Sequence, residues 1–253
     1  MPILAYHHID PHFDLAATRI PPARFERQIE TALQLGCRFC GLDDYLAQPE
    51  PDKLTLTFDD GFASVYEHAF PILRQYGITA TVFVVAGYVG QYDDWDVNFG
   101  RIRFPHLTWR QIDDLLKAGW QIESHAMFHN DLSKIGKWPC FRELVLSRSL
   151  IERRLNNRVR YISYPFGNTD AFVVQAAAEA GYAGGLVMSR TGKGLPSEFV
   201  VPRLGVYFFD TRRTWVHKML AKHENFYKFM QRGIDVCSDG TVLVKHGLQL
   251  TKK

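Results

Sequence analysis

Lys53-Leu54-Thr55-Leu56-Thr57-Phe58-Asp59-Asp60-Gly61 is the stretch on which the reading of this 253-residue chain turns. Lys53–Phe58 is a β-rich run of aliphatic, aromatic and β-branched residues and reads as a strand. It runs straight into two adjacent carboxylates. Like charges this close raise each other's pKa, and a bound cation removes that cost. Gly61 gives the backbone freedom to turn beside them. Taken alone, the same residues also fit a plain Asp-Gly turn with a capping carboxylate.

Outward from this strand, the pattern alternates strand and helix. Upstream, Pro2–Tyr6 is a short apolar strand. Pro22–Leu35 places Phe25, Ile29, Ala32 and Leu33 on one helical face before Gly36. Phe39–Leu42 reads as a strand and Asp43–Ala47 as a helical turn. Downstream, Tyr66–Tyr76 reads as a helix closed by Gly77, and Thr79–Val85 as a buried strand. Thr108 can cap a helix through Lys117, with Gln111 as its capping-box partner. Trp120–Glu123, Tyr161–Tyr164, Ala183–Val187 and Val200–Val206 read as strands. Phe141–Leu155, Ala171–Ala180 and Thr214–Met230 read as helices. Such alternation implies a parallel sheet, open or closed into a barrel, with its site just beyond the strand ends. Residues 88–107 form a long excursion. Its Trp95, together with Trp109, suits either a wall for a sugar ring or a core anchor.

Composition narrows the class. The chain is 46% hydrophobic and 23% charged, which suits a globular protein rather than a disordered one. The longest strongly apolar run, Thr79 to Val89, is shorter than the roughly 18–20 residues of a membrane helix, so no transmembrane segment is expected. Met1–His8 lacks the basic and apolar regions of a signal peptide. The expected location is the cytoplasm, or the periplasm or exterior if a leader has been trimmed. A net charge of +3 calls for no nucleic-acid partner. Residues 201–253 nevertheless hold ten basic and four acidic side chains, which reads as a solvated basic tail. Cys37 and Cys40 have knuckle spacing but no second pair at zinc-finger distance. They read as two buried or half-buried thiols in a strand, where successive side chains alternate faces.

Two further clusters follow strand ends. In Ser124-His125-Ala126-Met127-Phe128-His129, two imidazoles four residues apart can face one site if the segment turns tightly. Neutral imidazole is a common transition-metal ligand. One carboxylate with two imidazoles leaves coordination positions open, as catalytic metal sites do. In Tyr164-Pro165-Phe166-Gly167 the strand ends in a shaped turn that can aim a backbone N–H into a pocket.

Together these residues resemble the polysaccharide deacetylase family, that is, carbohydrate esterase family 4 with its NodB-homology domain. Thr57–Gly61 matches its TFDDG motif. His125 and His129 match its H-S/T-x-x-H motif, with Ala126 where Ser or Thr is usual. Tyr164–Gly167 matches its third motif in part. The resemblance covers roughly residues 1–210 and implies an α/β fold, a distorted (β/α) barrel of seven or eight parallel strands. Residues 211–253 are left as a C-terminal helix and basic tail on the same domain. The implied activity is metal-dependent removal of acetyl groups from N-acetylated sugars of a bacterial surface polysaccharide or its precursor.

The resemblance also implies roles. Asp59 is the general base. Asp60, His125 and His129 are the ligands of a divalent metal, zinc first, with cobalt, nickel or iron also compatible. The Phe166 N–H holds the oxyanion. The family's third-motif Arg, which tethers the base, falls on Ser163, and Arg203 is the candidate substitute. The Leu-x-x-His motif of the general acid occurs twice, ending at His7 and at His246. The opening Ile3–Ile9 looks like the branch acting on poly-N-acetylglucosamine, which favours His7 and leaves His8 a structural role. Two other functions stay open: hydrolysis of another amide or O-acetyl ester on the same scaffold, and a non-catalytic glycan-binding module, which the missing Arg favours.

Overall fold

The structure, a computed structural model, describes residues 2–12, 17–93, 103–188 and 199–220. Trp95, Cys237, His246 and the part of the expected last helix beyond residue 220 lie outside the described residues.

The chain begins with β1 (Ile3–Tyr6), β2 (His8–Ile9), β3 (Arg19–Ile20), α1 (Pro22–Gln34), β4 (Arg38–Phe39) and α2 (Leu42–Ala47). Next come β5 (Lys53–Phe58), α3 (Phe70–Gln75), β6 (Thr81–Val84), α4 (Trp109–Lys117) and β7 (Gln121–Ser124). It continues through α5 (Lys137–Leu155), β8 (Tyr161–Ser163), α6 (Ala171–Glu179), β9 (Gly184–Met188), β10 (Val201–Gly205) and α7 (Arg212–Met219). Parallel pairing runs β1-β10-β9-β8-β7-β6-β5, and β5 pairs back to β1, so seven strands close into a ring. β4 adds an eighth strand beside the N-terminal end of β5, through the pairs Arg38–Lys53 and Phe39–Leu54. The ring is distorted at β7–β8, which meet through the single register pair Ser124–Ile162.

Strand alternation sorts the side chains into two cores. Leu54, Leu56, Phe58, Val82 and Val84 join the large cluster under the helices. Ile3, Phe83 and Leu186, from three strands of the ring, pack instead with Leu42 of α2. These residues fill the barrel at the strands' N-terminal end, with α2 as the plug. Gln121 holds the plug in place: its Oε1 accepts the Leu42 N–H at 2.8 Å, and its Nε2 donates to Asp43 Oδ2 at 2.7 Å. The opposite mouth, at the strands' C-terminal ends, is left for polar residues.

Local expectations meet the structure closely, with physical reasons where they differ. The Thr108–Gln111 capping box forms in both directions. The expected helix Tyr66–Tyr76 is divided into a turn of π-helix, Val65–Ala69, and α3. Pro71, which has no N–H to donate, sits just past that junction. α5 starts four residues before Phe141, because Pro139 falls in its first turn, where backbone N–H groups need no helical acceptor. Leu42 begins α2 rather than ending a strand. Cys37 contacts Met219 and Cys40 contacts Thr55, so the two thiols face different neighbours. Trp109 packs on the core under the Arg154 guanidinium, 5.6 Å from its ring centre, and takes the anchor role of its two readings. Among the described residues, no helix is long and apolar enough to cross a membrane.

α7 docks on the first strand. Trp215 is 1% exposed, and its indole N–H donates to the Tyr6 hydroxyl at 3.1 Å. A buried Lys218–Asp210 pair at 2.7 Å ties the helix to the end of β10, where Lys218 also donates to the Gly205 carbonyl. Trp215→Ala is expected to cost about 3–5 kcal/mol of stability. Denaturant unfolding checks this, and a shift below 1 kcal/mol would show that α7 is not part of the cooperative core.

Candidate active site

The polar mouth of the barrel is built from the ends of five strands. Asp59 and Asp60 follow β5, His7 follows β1, His125 and His129 follow β7, and Ser163 ends β8. Arg203 reaches in from β10. Tyr6 pairs with Phe58, and the Asp59 N–H donates to the Tyr6 carbonyl at 2.9 Å, so His7 and Asp59 leave neighbouring strands side by side.

Asp59 is 3% exposed and Arg203 1%. Arg203 holds the carboxylate with a two-pronged fork: Nη1 donates to Oδ1 at 2.8 Å and Nη2 to Oδ2 at 2.7 Å. Nη1 also donates to Thr57 Oγ1 at 2.9 Å, and Nη2 to Ser163 Oγ at 2.7 Å. Ser163 Oγ in turn donates to Asp59 Oδ2 at 3.1 Å. The guanidinium lies over the Phe83 ring at 5.2 Å, on top of the apolar filling. Burial alone would push the Asp59 carboxyl up. Arg203 first, and then His125, outweigh it and hold the group at about 2. The carboxylate is therefore ionised and fixed in direction.

Asp60, His125 and His129 form the second part. Their ligand atoms all lie within 4.8 Å of one another, and all three side chains are buried. Asp60 Oδ1 stands 3.3 Å from the Nε2 atom of each imidazole. The His125 Nδ1 atom is 2.7 Å from the Ser163 carbonyl. That contact places the ring proton on Nδ1 and turns the Nε2 lone pair toward Asp60. Asp60 Oδ1 is buried and makes no hydrogen bond. A buried carboxylate oxygen facing two imidazole nitrogens suits a cation between them, so these residues can hold a divalent metal.

The backbone is bent to reach this geometry. Among the described residues, five other than glycine adopt left-handed φ angles: Asp60, Ala126, His129, Asn156 and Phe166. All but Asn156, which ends α5, lie in the site. Gly61 is left-handed as well, and a Cβ there would come within 3.1 Å of Val84. The Asp60 carbonyl is held by His106 Nδ1 at 2.9 Å. The ring of Phe166 lies 4.7 Å from that of His129, which sets the third turn against the His125–His129 loop. Asn168, just after that turn, donates to Asp131, two residues beyond His129, at 2.9 Å.

His8 takes no part in this polar network. It stacks on Phe62 at 3.5 Å and meets Phe104 edge-on, and neither ring nitrogen has a hydrogen-bond partner. Burial pushes its imidazole down to about 3, so it stays neutral. Of the expected site residues, Asp59, Asp60, His125, His129, His7, Phe166 and Arg203 are thus brought to one mouth. Sequence reasoning missed His106, Asp131, Asn168 and Glu143. Only Glu143 left a signal, a carboxylate on the buried face traced by Cys140, Leu144, Ser147 and Ile151.

A sequence profile of the polysaccharide deacetylase family matches residues 47–185, more than half of the chain and all three clusters. The chain belongs to that family. It is 28% identical over 192 residues to YxkH of Bacillus subtilis, which carries the family's name, covering 74% of this chain and 63% of that one. It is 26% identical over 162 residues to the poly-beta-1,6-N-acetyl-D-glucosamine N-deacetylase of Staphylococcus aureus, covering 58% and 53%. The matched region is thus less than two thirds of either relative's length. Among solved structures, the Streptococcus pyogenes deacetylase PplD in complex with acetate superposes with a TM-score of 0.72 at 22% identity, covering 87% of this chain and 97% of that one. IcaB from Ammonifex degensii gives 0.72 at 24%, covering 87% and 95%. These two share the fold.

The Arg203–Asp59 pair makes a stability prediction independent of activity. Arg203→Met leaves a buried carboxylate unpaired and is expected to cost about 3–5 kcal/mol. Adding Asp59→Asn should recover most of that loss. Equal destabilisation of the single and double variants in urea unfolding would show that the fork carries little of the stability.

Proposed function

We propose that this deacetylase-family chain is a metal-dependent N-deacetylase acting on N-acetylated sugars of a bacterial surface polysaccharide or its precursor. The observation that carries the reading is the pairing of an Arg-tethered, ionised Asp59 with the neighbouring Asp60–His125–His129 triad at one barrel mouth. The S. aureus relative's named substrate, poly-beta-1,6-N-acetyl-D-glucosamine, supports the sugar class.

Asp60, His125 and His129 would hold the ion, zinc first, with cobalt, nickel or iron suited to the same donors. A divalent ion held there supplies Lewis acidity, polarising a carbonyl and acidifying water. Asp59 takes the proton of the attacking water. Its two contacts to Arg203 keep it ionised and aim it, as a general base requires. The Phe166 backbone N–H donates to the developing oxyanion, a role its side chain does not enter. His7, beside Asp59, gives a proton to the leaving amine. The absence of the third-motif Arg at Ser163 favours a binding module; the Arg203 fork on Asp59 supports the enzyme instead. A pure binder would have no use for an ionised, oriented base.

Acetate release from β-1,6-linked N-acetylglucosamine oligomers, with metal content measured on the same samples, tests this. Wild type is expected to carry about one divalent transition metal per chain and to release acetate. Asp59→Asn should keep the metal and lose about 10²–10⁴ in kcat, the usual contribution of a general base. His125→Ala should lose the metal, and His8→Phe should keep both metal and activity. Wild type without metal even after zinc is added back, or near-normal kcat in Asp59→Asn, would overturn the mechanism.

A further inference from the structure

The two histidine ligands are carried by a loop that does not hold itself. Ala126 and His129 are both left-handed, conformations that cost a residue with a side chain about 1–2 kcal/mol each. From Ala126 to Phe128 run three successive backbone N–H groups, and each finds a side-chain acceptor. Ala126 is fully buried and offers only a methyl. Its own N–H goes to Ser124 Oγ at 3.2 Å. The next two N–H groups, of Met127 and Phe128, both go to Glu143 Oε2, at 3.0 and 2.9 Å. The other carboxylate oxygen, Oε1, accepts from the Asn130 side-chain amide. Glu143 lies on α5, is 6% exposed, and spends both carboxylate oxygens on the residues flanking His129.

We propose that Glu143 is the positioning residue of the metal site. It touches neither metal nor substrate in this scheme. Instead it clamps the Ala126–Asn130 loop to α5, which fixes the distance and direction of His129 relative to His125 and Asp60. The clamp acts through the main chain, so it does not depend on the side chain at position 126. The proposal rests on the reading of Asp60, His125 and His129 as metal ligands.

Zinc affinity tests it directly, measured by competition with a chromophoric chelator on wild type, Glu143→Ala, Glu143→Gln and Cys140→Ala. Cys140 is buried on the same face of α5, one turn earlier, and controls for loss of packing. Groups that orient metal ligands typically change affinity 10- to 100-fold, and a weakening of that size is expected for Glu143→Ala. Glu143→Gln keeps one carbonyl acceptor but turns an amide donor toward the loop, so a severalfold weakening is expected. Cys140→Ala should bind zinc as wild type does. Amide exchange at Met127 and Phe128 should speed up in both Glu143 variants and stay unchanged in Cys140→Ala. Wild-type zinc affinity in folded Glu143→Ala, or in folded Glu143→Gln should the alanine variant not fold, overturns the positioning role and leaves the metal site standing. Equal weakening in Cys140→Ala overturns it too, since packing alone would then explain the loss. Absence of zinc binding in wild type overturns the metal reading itself.

Discussion

The ion pair between Arg203 and Asp59 is the constraint around which the barrel mouth is arranged. Either charge alone in this interior would face a desolvation penalty of several kcal/mol. Together, with Thr57 and Ser163 taking part, the guanidinium and carboxylate meet most of each other's needs. The network joins side chains from β5, β8 and β10, three strands that do not neighbour one another in the ring. It also separates two environments. Below it lie Phe83 and the apolar filling; above it lie the imidazoles of His125 and His129. A small residue at 163 is part of the design, because a second arginine there would set two cations on one carboxylate. Arg203 and Ser163 thus hold Asp59 as one unit drawn from two places in the chain.

The same rigidity supports the strained backbone at the mouth. Asp60, Ala126, His129 and Phe166 all occupy a conformation that each would avoid in a free loop. Each is held from outside its own segment. His106 takes the Asp60 carbonyl, Glu143 takes the N–H groups between Ala126 and His129, and the Asp131–Asn168 contact closes the loop of His129 onto the turn of Phe166. Strain of this kind persists only where the surroundings over-determine it, and here the surroundings are a closed ring and its helices.

Much of this was legible in the sequence, for identifiable reasons. Strand–helix alternation announced a parallel sheet, because β-rich runs and helical faces differ in period. Asp59-Asp60-Gly61 and the His125–His129 spacing were visible because their chemistry is local in sequence. Arg203 could be suspected only because a position elsewhere lacked its expected arginine. Barrel closure was different. Nothing in Ile3–Tyr6 says that it will pair on both sides, with β5 and with β10, since strand order is set by packing of the whole chain. His106 and Asn168 act on backbone groups or on partners distant in sequence, and such contacts leave no pattern. Glu143 stood between these cases: its place on a buried helical face marked it as odd, but not what it held.

Closure by the first strand has a consequence for how the protein comes off the ribosome. β10, the other neighbour of β1, follows it about 195 residues later in the chain. At the usual elongation rate of about 5–20 residues per second, that interval is roughly 10–40 s. Throughout it, one edge of β1 has no strand to meet, and Asp59 has no counter-charge. The carboxylates and imidazoles at the mouth are all synthesised before Arg203, yet they cannot take up their final relation without it. Assembly of the site is therefore not gradual along the chain. It waits on β10, and a nascent chain stalled before β10 would hold nearly every reactive group while lacking the arrangement that makes them a site.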